Sequence, residues 1–281
     1  KSLNTVESYK RDVTQYISYL DGTGVTDISS TTKTTVLSYL LYLQKEGRAS
    51  STVSRTLASL RSYYLFMMQN GVVKSNPTSN LEAPHVEKKI PKILSGEEVE
   101  LLLEQPKNCD NKGIRDKAML ELLYATGIRV SELINLDIRD VCFDTSSFVV
   151  TRKGGDEQEI FMPVQVENEL FTYMQERVEN EKAKDDALFI SRLGTRMTAQ
   201  GVEKVLKKYC ATVGIYDPDK ARPHALRRTF ACNLIADGID IKMVAELMGH
   251  KNIEVTHKYY TQYAIEKRKE VMQNFDITGN R

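Results

Sequence analysis

The sequence predicts a mainly α-helical protein, made of a small helical domain and a larger, mostly helical domain that contains a small antiparallel β-sheet. Apolar residues recur at spacings of three and four through most of the 281 residues, which is the pattern of a helix with one buried face. A proline-rich stretch around residue 84 interrupts this pattern. A β-branched run, a Lys-Gly-Gly-Asp turn and a second strand in SFVVTRKGGDEQEIFMPV predict a β-hairpin.

The first domain is predicted over residues 1–82 as three helices. The stretches LNTVESYKRDVTQYISYL, TTVLSYLLYLQKEG and SSTVSRTLASLRSYYLFMMQNG each carry apolar residues at helical spacing. The second and third of these helices are expected to stop at Gly47 and Gly71, because glycine commonly ends a helix.

A linker is predicted over residues 83–94. The stretch NPTSNLEAPHVEKKIPKIL brings three prolines together with a short charged run, and this composition favours neither helix nor strand. The second domain is predicted over residues 95–281. It begins at SGEEVELLLEQ, where Ser95 and Glu98 have the spacing of a capping box ahead of an apolar run.

Further helices and one more strand are predicted in the second domain. An isolated two-stranded ribbon is marginally stable in water, so the hairpin needs a third strand or a helix to pack on. The stretch ALFIS at 187–191 is the expected third strand. The predicted helices span residues 111–126, 129–136, 198–213, 224–237, 240–248, 252–260 and about 263–274.

Composition excludes several classes of protein. The chain is 41% hydrophobic and 27% charged, as globular proteins are, and no apolar run approaches the roughly 20 residues that span a bilayer. We therefore expect no membrane partner. The four cysteines have neither disulfide-framework nor zinc-site spacing, so we expect buried thiols and a cytoplasmic location, where thiols stay reduced. No metal or other cofactor is predicted, because metal-ligand motifs and glycine-rich phosphate loops are missing from the sequence.

Four short segments of the second domain carry side chains suited to chemistry. ATGIRVSEL places an arginine just after a helix-ending glycine, TRKGG places a lysine at the hairpin tip, and PHALRR places a histidine and an arginine on one face of a first helical turn. LMGHKNIEVTHKYY supplies a histidine at a helix junction and a tyrosine pair. The candidate catalytic residues are Arg129, Lys153, His224, Arg227, His250 and Tyr259.

These side chains suit a reaction at one phosphodiester. Two guanidinium groups offer rigid forks of donors for the non-bridging oxygens of a phosphate and for an anionic transition state. A tyrosine can form a reversible covalent ester with phosphorus. A lysine can protonate a departing alkoxide, and a histidine can accept the phenol proton.

The ordered set ATGIRVSEL, RKGG, HALRRTF and LMGHKNIEVTHKYY resembles that of the tyrosine recombinases, also called phage-type integrases, and is most similar to the Xer branch. The resemblance implies a helical, SAM-like core-binding domain and a mostly-α catalytic domain with a small antiparallel sheet, the DNA breaking-rejoining fold. It also implies cutting and rejoining of duplex DNA through a 3′-phosphotyrosyl intermediate, with no ATP and no metal.

The resemblance implies roles for the candidate residues. Arg129 matches the first catalytic arginine, and Lys153 matches the lysine of the β-hairpin. His224 and Arg227 match the family's HxxR pair, and His250 matches a late position that is histidine in some members and tryptophan in others.

The family pattern places its nucleophile nine residues after that histidine, which selects Tyr259. Tyr260 and Tyr263 remain alternatives. Adjacent residues diverge by about 100° on a helix, so Tyr259 and Tyr260 cannot both face one phosphate.

Charge patterning adds candidate DNA contacts. The net charge of +1 is uninformative by itself, but residues 1–90 carry 11 Lys/Arg against 7 Asp/Glu. The candidate residues lie on or near the third predicted helix and on the helix at 198–213: Arg48, Arg55, Arg61, Lys204, Lys207 and Lys208. Contacts to the DNA backbone and an ordinary solvated helix face are both open interpretations of these side chains.

The expected partners are double-stranded DNA with inverted-repeat core sites and further copies of a recombinase. The family arrangement implies a homo- or hetero-tetramer on DNA, joined through the C-terminal helix. Chromosome-dimer resolution and mobile-element integration or excision are both open roles. A non-cleaving DNA-binding protein of the same fold and a type IB topoisomerase-like enzyme are the alternative functions.

Overall fold

The computed structural model describes residues 3–85, 92–107, 110–152, 154–179 and 183–250. The chain divides into two compact units, Lys1–Lys89 and Ile90–Arg281. The linker bounds of 83–94 stay a prediction, because residues 86–91 lie outside the described ranges. Within those ranges no helix combines the length and the apolar character needed to cross a bilayer.

In its described part, the first unit contains the three predicted helices, α1 (Leu3–Gly22), α2 (Lys33–Lys45) and α3 (Ser50–Gln69). Their apolar faces form one core, in which the hydroxyls of Tyr16 and Tyr64 lie 2.8 Å apart in a buried hydrogen bond. The core residues come from all three helices: Tyr16, Leu20, Val36, Tyr39, Leu40, Leu43, Val53, Leu57, Leu60 and Tyr64.

The helices described in the second unit include every predicted one up to residue 248, with small shifts at the ends. They are α4 (Gly96–Leu103), α5 (Asn111–Thr126), α6 (Val130–Asn135), α7 (Val164–Val178), α8 (Ala199–Thr212), α9 (Pro223–Ala236) and α10 (Ile241–Leu247). The predicted capping box of α4 is present: the Ser95 amide donates to Glu98 at 2.8 Å, and the Glu98 amide donates to the Ser95 hydroxyl at 3.1 Å. The predicted helices at 252–260 and 263–274 lie outside the described residues.

Helix α7 is not among the predicted helices. It packs along α5 and buries Val166, Leu170 and Tyr173, which are spaced by four and three residues as a helical face requires. Charged and amide residues between these positions make the apolar stripe narrow, and that is why the pattern is weak in the sequence.

The sheet has strands β1 (Val141–Cys142), β2 (Ser147–Thr151) and β3 (Glu157–Phe161), antiparallel in that order. The predicted hairpin of β2 and β3 is confirmed, with Phe148 opposite Ile160. The prediction of 187–191 as the third strand is wrong. β1 takes that place, because the short turn before β2 brings it alongside.

The stretch around residues 187–190 instead crosses the interior of the second unit. Leu188 and Phe189 are buried, and the Leu188 amide donates to the Leu136 carbonyl at 2.7 Å. Ala187 forms only an isolated bridge with Asp137. Burial and these few backbone bonds therefore replace the expected pairing with the hairpin.

The chain that enters the second unit is fastened to α9. The Leu94 amide donates to the buried Thr229 hydroxyl at 3.0 Å, and Lys92 pairs with Asp217 at 2.6 Å. Ile93 packs on a small apolar cluster formed by α9 and α10. This segment and α9 are thus packed together.

The cysteines differ in their surroundings. Cys210 and Cys232 are buried, as predicted, and burial raises the pKa of both thiols. Cys142 is exposed on β1, so the expectation of a buried thiol is wrong there. Cys109 lies outside the described residues.

Glu121 lies inside the core on α5, only 5% exposed. No hydrogen-bond partner for its Oε2 atom is found in the part of the chain that the structure describes. Burial raises its pKa to about 6; Lys117 acts against this shift, and Glu169 adds to it. The folded protein therefore holds this proton at a pH where the unfolded chain has already released it.

We expect Glu121→Gln to change how stability depends on pH. In the parent protein this carboxyl lowers the free energy of unfolding as pH rises from about 4.5 to about 6. A glutamine does not titrate, so the variant should gain about 2 kcal/mol relative to the parent between pH 4.5 and pH 8. Urea unfolding at both pH values measures this, and Glu100→Gln, at an exposed position on α4, controls for the lost charge. An unchanged pH dependence in Glu121→Gln contradicts the assignment.

Candidate active site

Arg129 stands at the junction of two helices. Helix α5 ends at Gly127, whose φ of +60° turns the chain, and Arg129 is the N-cap of α6. Its Nη1 donates to Glu132 Oε1 at 2.8 Å, and its backbone amide donates to Glu132 Oε2 at 2.8 Å. The buried Glu132 carboxylate therefore fixes both the backbone and the guanidinium of Arg129.

Arg227 joins the ends of two other elements. It lies in α9, which begins at Pro223 as predicted, and it is 4% exposed. Its Nη1 donates to the Gly127 carbonyl and its Nη2 to the Met248 carbonyl. The carboxyl ends of helices carry partial negative charge, so both contacts favour a cation at this position.

The turn after α10 completes this side of the site. The Gly249 carbonyl accepts a hydrogen bond from Arg129 Nη2 at 3.2 Å, and His250 Nε2 lies 3.3 Å from Arg227 Nη2. Gly249 has a φ of +58°, and a Cβ there would lie 2.5 Å from the guanidinium carbon of Arg152. A glycine at 249 is thus required by backbone conformation and by close packing.

Arg152 supplies a third guanidinium, which the sequence motifs do not single out. Its side chain is 6% exposed, and its Nη1 donates to Glu132 Oε2 at 2.8 Å. It continues the alternation of β2, in which Phe148 and Val150 are buried. That alternation is the signal in the sequence, because residue 152 shares the inward face with 148 and 150.

Positive charge dominates the site. Arg129, Arg152 and Arg227, hereafter the arginine cluster, all act electrostatically on His250, and the first two bond to the carboxylate of Glu132. Burial by itself would raise the pKa of Glu132, but hydrogen bonds from Arg129 and the nearby charge of Arg152 hold it below its usual value. The carboxylate is therefore ionised at neutral pH, and these four groups together keep a net positive charge that attracts an anion.

Both histidines at the site are neutral at pH 7. Burial lowers the pKa of His250 to about 4, and the charges of Arg227 and Arg129 add to the shift. His224, at the surface in the first turn of α9, has a pKa below its usual value, chiefly because its ring is partly desolvated. The charge of Arg227 acts on His224 in the same direction.

The structure brings Arg129, Arg227 and His250 together: Arg227 lies beside His250, and Arg129 bonds to the carbonyl of the preceding Gly249. His224 is close enough for the charges of Arg227 and Arg129 to lower its pKa. Lys153 and Tyr259 lie outside the described residues, as do Tyr260 and Tyr263, so their positions and the choice among the tyrosines stay predictions. Within the described ranges no three metal-ligating side chains group together. The arrangement suits a tetrahedral oxyanion with several acceptor oxygens.

Two of the three candidate DNA contacts of the first unit, Arg55 and Arg61, have partners within that unit. Arg55 pairs with Asp12 at 3.0 Å, and Arg61 donates to the Leu81 carbonyl. Six positions apart, they point about 120° from each other around α3. Arg48, after α2, is exposed. A DNA-contacting role for these three stays a prediction, and α3 does not present Arg55 and Arg61 on one face.

Lys204, Lys207 and Lys208 are all exposed on α8. Their spacing of three and four places them on one side of the helix. Lys207 pairs with Glu203 at 2.7 Å, and the Lys208 ammonium lies 5.0 Å from the ring centre of Tyr209. This surface has the geometry of a basic face, and its contact with DNA stays a prediction.

Comparison with known proteins identifies the class. The phage integrase family matches residues 92–266, and the phage integrase N-terminal SAM-like domain matches residues 1–71. Tyrosine recombinase XerD of Oceanobacillus iheyensis is 35% identical over 278 residues, covering 97% of this chain and 92% of that protein. Tyrosine recombinase XerC of Roseiflexus castenholzii is 34% identical over 263 residues, covering 92% and 83%.

The chain therefore belongs to the phage integrase family. It is a tyrosine-type site-specific recombinase, and the resemblance drawn from its motifs is confirmed.

Solved structures share the fold. The XerH site-specific recombinase, in a post-cleavage complex with palindromic difH substrate, superposes with a TM-score of 0.80 at 19% identity, covering 97% of this chain and 80% of that chain. A lambda integrase dimer bound to a core site has a TM-score of 0.72 at 16% identity, covering 92% and 89%. These likenesses and the SAM-like match confirm the predicted fold class.

We expect Gly249→Ala to be far more destabilising than Gly238→Ala. The two glycines flank α10, and both have positive φ, +58° and +86°, so each alanine costs about 1–2 kcal/mol in backbone strain. A Cβ at 249 also meets the Arg152 guanidinium, whereas open space surrounds 238. Overpacking adds about 1–3 kcal/mol at 249. Urea unfolding compares the two variants, and equal losses contradict the described packing.

Proposed function

We propose that this chain cuts and rejoins duplex DNA at inverted-repeat core sites through a 3′-phosphotyrosyl intermediate. One observation carries the proposal: Arg227 and Arg129 bind consecutive carbonyls at the end of α10, those of Met248 and Gly249, and His250 follows directly. Two guanidiniums held this close suit the two non-bridging oxygens of one phosphodiester.

The proposed reaction exchanges one phosphate ester for another. The phenol oxygen of Tyr259 attacks phosphorus, and its proton passes to the neutral imidazole of His224. The bond between phosphorus and O5′ breaks, and O5′ takes a proton from the Lys153 ammonium. One phosphorus–oxygen bond forms as one breaks, so ester energy is kept for rejoining and ATP is not required.

The remaining residues act on the charge that develops in the transition state. Arg129 and Arg227 stabilise the non-bridging oxygens, and their fixed contacts to helix ends mean that little reorganisation is needed. His250 is neutral at pH 7, since its pKa is about 4, and therefore contributes a hydrogen bond and no charge.

The solved relatives support DNA as the partner, since XerH is described with difH substrate and lambda integrase with a core site. Similarity to XerD and XerC favours chromosome-dimer resolution over mobile-element integration as the role. The exposed lysines of α8 supply charge of the right sign for backbone contacts. We extend the proposal to a homo- or hetero-tetramer on DNA, joined by the C-terminal segment.

A nicked suicide duplex that carries a core site tests the nucleophile. The nick lets the short product strand diffuse away, so the covalent protein–DNA adduct accumulates. Tyr259→Phe should bind the duplex with parental affinity and form no adduct, because it lacks only the attacking oxygen. Tyr260→Phe is the matched control and should form adduct at the parental level.

Three results count against the proposal. Adduct from Tyr259→Phe with none from Tyr260→Phe moves the nucleophile to the neighbouring residue. A gel shift without adduct from the parent indicates a non-cleaving binding protein. Relaxation of supercoiled plasmids with and without a core site at equal rates indicates topoisomerase-like activity.

The rate of cleavage should fall on the acid side of neutrality as His224 becomes protonated. Because its pKa in the free protein lies below 6.5, kcat/KM should be constant from pH 8 to about pH 7 and fall below that. Single-turnover cleavage at limiting DNA measures this profile. His224→Asn should be slower and lack the acid limb; an unchanged limb in this variant removes His224 from the role of base.

A further inference from the structure

We propose that Arg152 is a positioning residue, which holds the base of the β2–β3 hairpin against Glu132 and the end of α10 so that Lys153 reaches the scissile phosphate. This inference rests on the proposed role of Lys153 as the acid. It assigns Arg152, which lies outside the predicted catalytic set, a role that it exerts through its neighbour in the chain.

The contacts of Arg152 reach three separate elements. Its Nη1 donates to Glu132 in α6 at 2.8 Å, its Nε to Gln158 in β3 at 2.8 Å, and its Nη2 to the Leu247 carbonyl at 3.4 Å. Burying a guanidinium is costly unless it is paired and hydrogen-bonded. These partners meet that need only while the hairpin, α6 and the end of α10 keep their present arrangement.

Gln158 forms a second connection at the same place. It accepts from Arg152 through Oε1, and its Nε2 donates to the Glu246 carbonyl at 3.3 Å. The hairpin base is therefore tied to the end of α10 from both of its strands. Gly249, just beyond that end, leaves the space that the Arg152 guanidinium fills.

The backbone carries this constraint to Lys153. The Arg152 amide donates to the Asp156 carbonyl at 2.6 Å, and the Gly155 amide donates to the Arg152 carbonyl at 3.0 Å. These bonds close the turn across its base. Consecutive Cα atoms are about 3.8 Å apart, so a fixed Arg152 limits where the next residue begins. Its carboxylate partner, Glu132, also holds Arg129, so one group fixes both Arg129 and the residue that precedes Lys153.

A change of leaving group separates this role from general support of the fold. A DNA strand with sulfur in place of the bridging O5′ leaves as a thiolate, which needs no proton at neutral pH because thiols have a pKa near 8.5. A variant that misplaces the acid is slow on the oxygen substrate and close to normal on the sulfur substrate. A variant that damages the whole site is slow on both.

The experiment compares four full-length variants on both substrates in single-turnover cleavage. Arg152→Gln removes the positive charge and the guanidinium group. Gln158→Ala removes the hydrogen bonds to Arg152 and to the Glu246 carbonyl, and it leaves no buried cavity because Gln158 is partly exposed. Lys153→Ala is the reference for loss of the acid. Arg177→Gln is the matched control: Arg177 is also a buried arginine, bonded to the Ala187 and Asp185 carbonyls in another part of the unit.

We expect Arg152→Gln to lose at least about tenfold in rate on the oxygen substrate and less than about threefold on the sulfur substrate. Lys153→Ala should show the same preference for the sulfur substrate, with a larger loss on the oxygen substrate. Gln158→Ala should show the same preference at a smaller amplitude. Arg177→Gln should lower the thermal midpoint and show no preference between the substrates. Thermal unfolding of every variant shows that the rates are those of folded protein.

Three outcomes overturn the inference. Equal losses on both substrates for Arg152→Gln and Gln158→Ala, with selective loss in Lys153→Ala, leave the proposed function intact and remove the positioning role. Equal losses in Lys153→Ala mean that Lys153 is not the acid, and both proposals fail. A selective loss in Arg177→Gln means that any buried arginine produces the effect.

Discussion

The site depends on one buried carboxylate. Glu132 accepts hydrogen bonds from the backbone and guanidinium of Arg129 and from the guanidinium of Arg152, and the carboxylate lies between two positive charges that would otherwise repel each other in a poorly solvated place. Breaking a buried ion pair by removal of one partner typically costs about 3–5 kcal/mol. The positions of Arg129 and Arg152 therefore depend on this negative charge, whereas Arg227 is held by the Gly127 and Met248 carbonyls.

Helix ends supply further partners. Arg227 binds the Gly127 carbonyl at the end of α5 and the Met248 carbonyl at the end of α10. Arg129 binds the carbonyl of Gly249, the next residue after Met248. Carbonyls at a helix carboxyl end have no partner within the helix, so they can bind a cation without adding the full negative charge of an acidic side chain. These contacts preserve the net positive charge of the arginine cluster, which favours an anionic ligand.

Local signals in the sequence predict most of the fold. The capping box at Ser95, the helix stop at Gly127 and the hairpin turn each depend on a few adjacent residues, and the structure has all three. Long-range packing decides what these signals miss. The stretch at 187–191 is as apolar as a strand but is buried across the core, and α7 has a stripe too narrow to stand out from its charged surroundings.

In the site too, short motifs identify some residues, whereas the roles of others depend on partners that are distant in sequence. Motif order singles out Arg129, Arg227 and His250, which the structure brings together. It does not single out Arg152, because an arginine before a Lys-Gly-Gly turn is usually solvated, and its burial depends on Glu132 and Gly249, which are distant in sequence. The same holds for the carbonyl partners, since every residue has a carbonyl and the sequence does not mark which ones a guanidinium will meet.

The attachment of Leu94 to Thr229 has a mechanical consequence. Thr229 is two residues after Arg227 on α9, and the bond to it comes from the amide of Leu94, two residues after Lys92. Tension applied to the chain at Lys92 is therefore borne by α9, the helix that carries Arg227. A pull on the incoming chain is delivered to α9 two residues from Arg227.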